Sequence, residues 1–121
     1  MYRKTLSYYA TLLYRSFSAY AGEKLRQIGL NFGHLFFIVY IGKKPGCSPS
    51  DVMRQQKLDW GHCQRSLDRL EADGFITREK AGRSYRLTLT EKGQEAFEIA
   101  HQVFFDWDEE NLNALDDEEK N

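Results

Sequence analysis

Four cations fall within nine positions of this chain, at Arg78, Lys80, Arg83 and Arg86. On a narrow finger such a set can neutralise phosphates or enter a minor groove. Shortly before it stand Trp60, Gly61, His62, Gln64, Arg65 and Arg69. Arg65 could pair with guanine and Gln64 with adenine, each good bidentate pair discriminating by roughly 1–3 kcal/mol. Gly61 would permit close approach. Trp60 could stack on a sugar or a thymine methyl, or fold down on the preceding turn, and the packed reading is preferred. Arg69 has two uses, a phosphate contact or an ion pair with Glu71 or Asp73. Ser84, beside the turn, completes the candidate contacts. A charge cluster is usually a solvated face, so the elements that carry these residues must decide.

Ser48 and Asp51 form a capping box with Pro49 at the first helical position, which predicts a short helix from Pro49 to Lys57. Ser48, Ser50, Gln55 and Gln56 could add backbone contacts there. Asp59 can cap a second helix in which Cys63, Leu67 and Leu70 form one apolar stripe, and Gly74 ends it. Opposite that stripe lie Gly61, Arg65, Asp68 and Ala72, flanked by His62, Gln64 and Arg69. The segments 75–80 and 84–89 alternate as strands, with Tyr85, Leu87 and Leu89 on one face and Arg86 and Thr88 on the other. Ala81, Gly82 and Arg83 supply the turn. Helix, turn, helix and hairpin in this order make a winged helix-turn-helix, which moves the cations toward DNA.

The flanks read as helices. Leu6, Tyr9, Leu13, Phe17 and Tyr20 recur at helical spacing over about residues 2–27, and Gly29 interrupts. Asn31 can cap a helix from Phe32 to Lys43 that is apolar almost all round; a buried strand over 36–41 is the rival. Past Thr90 the stripe Ala96, Phe97, Ala100, His101, Phe104 and Phe105 continues toward Trp107. Two aromatic-striped helices outside one small unit are most economically explained by a homodimer that buries them. Residues 115–121 look like the capped first turn of a further helix. The expected architecture is mainly α with a small β-hairpin wing. It is one domain over 1–121, with a DNA-binding core at 30–93 and a helical dimerisation region at 1–29 and 94–121.

The net charge of -1 hides a segregation. Residues 106–121 hold eight acids and one base, whereas residues 1–105 hold sixteen bases and ten acids. A basic body suits phosphate neutralisation, but seven acids within 48–93 keep the patch local and argue against strong sequence-independent binding. The longest apolar run, 35–41, is too short for a membrane span, and the basic, aromatic start lacks an uninterrupted apolar region and cleavage site, which implies a cytoplasmic protein. His34, His62 and His101 are isolated, so no metal site is expected. No phosphate loop, nucleophile elbow or paired catalytic carboxylates appear, which predicts neither catalysis nor a cofactor. Cys63 falls on the buried stripe. Cys47, near Lys43, Lys44 and a helix start, has the setting of an oxidisable thiol, although the inert reading is preferred.

The residues Leu70, Glu71, Ala72, Asp73, Gly74, Phe75 and Ile76, then Arg83, then Leu87, Thr88, Leu89, Thr90, Glu91, Lys92 and Gly93 resemble the MarR family of bacterial winged helix-turn-helix regulators. The resemblance covers most of the chain. It implies a two-fold dimer that reads a pseudopalindrome with half-sites one helical turn apart, commonly as a repressor released by a small aromatic acid. For such an effector it points to Tyr9, Leu13, Phe17, Phe36 and Tyr40, although an aromatic stripe is usually core. It also implies a last helix that this chain stops short of. Two departures stand out. The family's Asp-x-Arg at the wing is Ala81, Gly82 and Arg83 here, so the arginine is kept and its supporting acid lost. The wing is also short, which shifts the expected specificity toward the helix around Arg65. The rival function is a winged-helix module that binds a protein partner.

Overall fold

A computed structural model describes residues 5–120, with side chains as far as Glu110; the expected helix start at Tyr2 lies outside the described residues. Helix α1, Leu6–Arg26, begins where Thr5 Oγ1 accepts the Tyr8 amide at 3.2 Å. It ends at Gly29 with φ 81°, where the Leu30 amide donates to Leu25 O at 2.9 Å and the Gly29 amide to Arg26 O at 3.1 Å. These are the paired bonds of a Schellman motif. Asn31 Oδ1 then accepts the His34 amide at 3.0 Å. The chain makes a 3-10 turn, Phe32–His34, and runs into α2, Leu35–Lys43, which buries Leu35, Phe37, Ile38 and Ile41. The segment 36–41 is therefore helix and not strand, entered from the Asn31-capped 3-10 turn rather than through a side-chain cap of its own.

Helix α3, Pro49–Gln56, carries both capping-box bonds: Ser48 Oγ accepts the Asp51 amide at 3.1 Å, and Asp51 Oδ2 accepts the Ser48 amide at 3.0 Å. It closes one residue before the expected end, at Lys57, the one non-glycine among the described residues with positive φ, 54°. Helix α4, Trp60–Ala72, starts where Asp59 Oδ1 accepts the His62 amide at 2.7 Å and buries Cys63, Ser66, Leu67 and Leu70. Gly74, φ 84°, ends it, with the Phe75 amide reaching Leu70 O at 2.9 Å.

Strands β1, Ile76–Ala81, and β2, Ser84–Leu89, pair antiparallel from Ile76 opposite Leu89 to Ala81 opposite Ser84. The connection is thus two residues, Gly82 and Arg83, one tighter than expected, and Gly82 at φ 64° supplies the positive angle such a turn requires at its first position. The loop before α3 adds a short third edge. Gly46 donates its amide to Leu87 O, and Leu87 donates to Cys47 O, both at 2.8 Å.

Helix α5, Glu91–Lys120, is docked by three bonds at its start and capped by a fourth. The Thr90 amide donates to Phe75 O at 3.0 Å, and Thr90 Oγ1 donates to Gly74 O at 2.5 Å and accepts the Gly93 amide at 3.0 Å. Lys92 Nζ donates to Asp73 O at 2.7 Å and lies 4.4 Å above the Phe75 ring. A Cβ on Gly93 would stand 1.9 Å from Phe75 O, so only glycine permits this approach. The backbone of α5 runs unbroken past Leu115, which corrects the expectation of a further helix starting there: no glycine or proline interrupts residues 94–120.

The core gathers Leu25, Leu35, Ile38, Ile41, Val52, Leu67, Leu70, Phe75, Ile76, Leu87 and Ala100, at least one from every helix and strand. Against it α1 and α5 pack on each other: Phe17 stacks on Phe104 at 5.1 Å and meets Trp107 edge-on at 5.5 Å, and the Trp107 indole donates to Ser16 Oγ at 3.4 Å. Part of the aromatic surface expected to await a partner is therefore used within one chain. Leu6, Tyr9, Leu12, Leu13, Tyr14 and Phe105 remain exposed. Among the described residues no helix is long and apolar enough to cross a membrane.

Candidate nucleic-acid interface

Helix α4 meets core along Cys63, Leu67 and Leu70, so geometry alone turns Gly61, Arg65, Asp68 and Ala72 outward, and all four are exposed. His62 and Arg69 flank that row on one side and Gln64 and Glu71 on the other. A methyl built on Gly61 would stand 3.1 Å from Arg65 Nη1 and 3.5 Å from Asp59 Oδ1. Gly61 therefore leaves room for the Arg65 guanidinium to lie back over the start of the helix. Trp60, first in α4, keeps 50% of its surface in solvent, so it does not fold fully onto the preceding turn.

The four cations of the hairpin do not share one environment. Lys80, Arg83 and Arg86 are exposed, as is Ser84. Arg86 stands directly across from Glu79 in the register, which leaves Lys80 and Arg83 as the two cations at the tip without an acid opposite. Among the described residues neither they nor Arg65 makes an ion pair.

Arg78 corrects the expectation of a solvent-directed wing cation. It pairs with Leu87 on the core face of the hairpin, and its side chain is only 18% exposed. Its Nη2 donates to Asp68 Oδ1 at 2.6 Å and to Glu71 Oε1 at 2.9 Å, and its Nη1 donates to Gln64 Oε1 at 3.3 Å. The hydrogen bond to Glu71 leads the causes that raise its pKa, partly offset by burial. Arg78 thus ties β1 to one flank of α4 and offsets one of the two negative charges that Asp68 and Glu71 would turn toward phosphate. Alternation alone does not single it out, because exposed Lys80 shares the phase of buried Ile76; the register and the two acids one turn apart on α4, Asp68 and Glu71, do.

Arg69 donates from Nε to Asp73 Oδ2 at 2.9 Å, an exposed pair that leaves its remaining donors available. On this flank His34 is half-buried, and its pKa is lowered by desolvation and then by the Arg69 guanidinium.

The structure does not bring the five expected effector residues together. Phe36 lines a cavity of about 370 Å³ between α2 and α5 with Val39, Lys43, His101, Phe104, Phe105 and Asp108. Phe17 is packed in the ring cluster with Phe32, Phe104 and Trp107. Tyr9 and Leu13 are exposed on α1, and Tyr40, whose pKa is raised chiefly by burial, lies toward Cys47 and Asp51 at the start of α3. Both cysteines are buried and free. Burial, reinforced by Asp51, pushes the Cys47 thiol up to about 11, opposite to the shift an oxidisable thiolate requires.

Residues 53–101 match the family model of the DUF6293 C-terminal winged helix domain. Over 120 residues the chain is 42% identical to the HTH-type transcriptional regulator BilQ of Clostridium symbiosum, covering 97% of this chain and 83% of that one. The crystal structure of a MarR transcriptional regulator from Methanosarcina mazei Go1 superposes with a TM-score of 0.82 at 25% identity, covering 93% of this chain and 77% of that one. Streptococcus pneumoniae FabT, solved in complex with DNA, shares the fold with a TM-score of 0.75 at 24% identity, covering 89% and 80%. The helix-turn-helix, the two-stranded wing, the docking of α5 and these likenesses identify the chain as a member of the MarR family of winged helix-turn-helix transcriptional regulators.

Proposed function

We propose that the chain binds duplex DNA sequence-specifically as a homodimer and acts as a repressor at a pseudopalindromic operator. The observation that carries this reading is the outward row of α4, where Gly61 and Arg65 stand exposed beside His62 and Gln64, together with a wing that bears Lys80 near the end of β1 and Arg83 in its two-residue turn. A helix fits the major groove, and a short cationic hairpin fits the backbone and adjacent minor groove. The FabT complex with DNA supports the same use of this fold.

Residues 30–93 form the DNA-reading core, and 1–29 with 94–121 the dimerisation region. Leu6, Tyr9, Leu12, Leu13, Tyr14 and Phe105 offer the apolar surface for the second copy. A small aromatic effector has its best seat in the cavity lined by Phe36, Phe104 and Phe105, where Lys43 and His101 could meet a carboxylate. On this reading the protein works in the cytoplasm.

A gel-shift series at rising salt, on duplexes enriched from a random pool, tests the proposal. The wild type should retain a specific complex that scrambled duplex does not compete away, and Arg65→Ala with Arg83→Ala should lose it. Binding without specificity, unchanged in that double variant, would leave the protein-interaction module as the better account.

A further inference from the structure

We propose that Arg78 is a positioning residue that sets which base Gln64 reads, turning it from adenine toward guanine. This rests on the DNA-reading function proposed above and deepens it.

The guanidinium of Arg78 has little freedom. Nη2 is held by Asp68 Oδ1 and Glu71 Oε1, and the side chain is 18% exposed against α4. Arginine carries only donors. A glutamine amide facing it must therefore present its oxygen, because the reverse flip would set N–H against N–H; the Nη1 contact to Gln64 Oε1 at 3.3 Å is that arrangement. The consequence lies at the other end of the amide. Adenine offers N7 as acceptor and N6–H as donor, so bidentate recognition needs both the oxygen and the nitrogen of Gln64. One lone pair of Oε1 is taken by the wing, and the guanidinium charge held beside that oxygen disfavours a second donor such as adenine N6–H, so the Nε2 hydrogens are what Gln64 has to offer. Two donors suit guanine, whose N7 and O6 are both acceptors. Arg78 thereby edits the code of the recognition helix without itself touching DNA.

Selection of bound duplexes from a random pool, run on wild type, Gln64→Ala and Arg78→Met, tests this through base preference rather than affinity. The wild type should favour guanine over adenine at one symmetry-related position by about fivefold or more, the range of a good bidentate pair. Gln64→Ala should lose preference there alone. Arg78→Met should shift that position toward adenine by a similar factor. Arg78→Met also bares two acids, so the triple substitution Asp68→Asn, Glu71→Gln and Arg78→Met is run beside it, and the same shift toward adenine is expected if the overall charge penalty is irrelevant to readout. Adenine under Gln64 in the wild type overturns the proposal and leaves DNA recognition standing. So does an unchanged guanine in both Arg78 variants, or a consensus indifferent to Gln64→Ala. A wild type that enriches no consensus overturns the DNA reading itself and the proposal with it.

Discussion

Replacing Gly93 by alanine sets two physical effects against each other, and the structure says which wins. Gly93 lies in the first turn of α5, where helix propensity alone would make alanine better by about 1 kcal/mol. The added Cβ would stand 1.9 Å from Phe75 O and 3.2 Å from Leu89 Cβ. An ordinary carbon–oxygen contact is about 3.3 Å at closest, so α5 would have to withdraw by more than an ångström. That movement strains the Thr90 amide bond to Phe75 O, the Thr90 hydroxyl bond to Gly74 O and the Lys92 bond to Asp73 O. At about 1 kcal/mol each, their loss costs about 3 kcal/mol. Net of propensity the variant should be less stable by about 2 kcal/mol. Thermal unfolding at fixed protein concentration should register a fall in Tm of about 5–10 °C. Gly22→Ala, inside α1 and with nothing within 4 Å of the methyl it would add, is the control and should gain about 0.5–1 kcal/mol. A Gly93→Ala protein as stable as wild type would refute the argument that the close approach of α5 to Phe75 locks the winged domain.

Lys57 holds φ 54° at the turn between α3 and α4. Relieving a left-handed residue gains about 1–2 kcal/mol, and glycine's greater unfolded-state entropy returns about 0.5–1, so Lys57→Gly should raise stability by up to about 1.5 kcal/mol in urea titration; a loss would contradict the strain. His34 has its pKa lowered by burial and then by Arg69, so the unfolded chain binds its proton first. That contribution to stability is intact above the ordinary value of 6.5 and is lost as pH falls through the folded value. His34→Gln should therefore show a smaller drop in Tm between neutral and mildly acidic pH than wild type, and an equal drop would remove His34 from the account. Cys47, with its thiol raised to about 11, should alkylate far more slowly in the native protein than in denaturant, and peroxide should not release DNA through it; rapid native labelling would contradict its burial.

Much of this molecule could be read locally. Thr90, Asn31, Ser48 with Asp51, and Asp59 are short polar side chains placed where helix starts leave amides unpaired, and each caps as its position implies. Gly29 and Gly74 stop helices because their φ is positive, a choice made by one residue's backbone. What stayed hidden depends on contacts between distant elements. Arg78 looks like its neighbours Lys80 and Arg83 until the register turns it onto α4. Lys92 enters the sequence reading only as part of a motif, and its bond back to Asp73 O belongs to the tertiary fold. Cys47 has lysines nearby in sequence, but its thiol answers to burial and to Asp51. The aromatic set of α1 and α2 divides because Phe17 is consumed by Phe104 and Trp107, while Tyr9 and Leu13 point elsewhere. Residue type announces what a side chain can do; the packing of remote elements decides what it does.

The central claim is that specificity lies in the exposed row of α4 and that the short wing adds mainly phosphate contact. The most direct measurement is the ratio of affinities for an enriched duplex and a scrambled one, by fluorescence anisotropy at several salt concentrations, for wild type, Arg65→Ala and Arg83→Ala. Arg65→Ala should reduce the ratio by about tenfold or more, since a bidentate guanine contact is worth roughly 1–3 kcal/mol in each half-site. Arg83→Ala should weaken both duplexes alike and lower the salt slope by about 2 for a dimer. An Arg65→Ala protein that keeps the wild-type ratio, or an Arg83→Ala protein that loses it, would contradict the account.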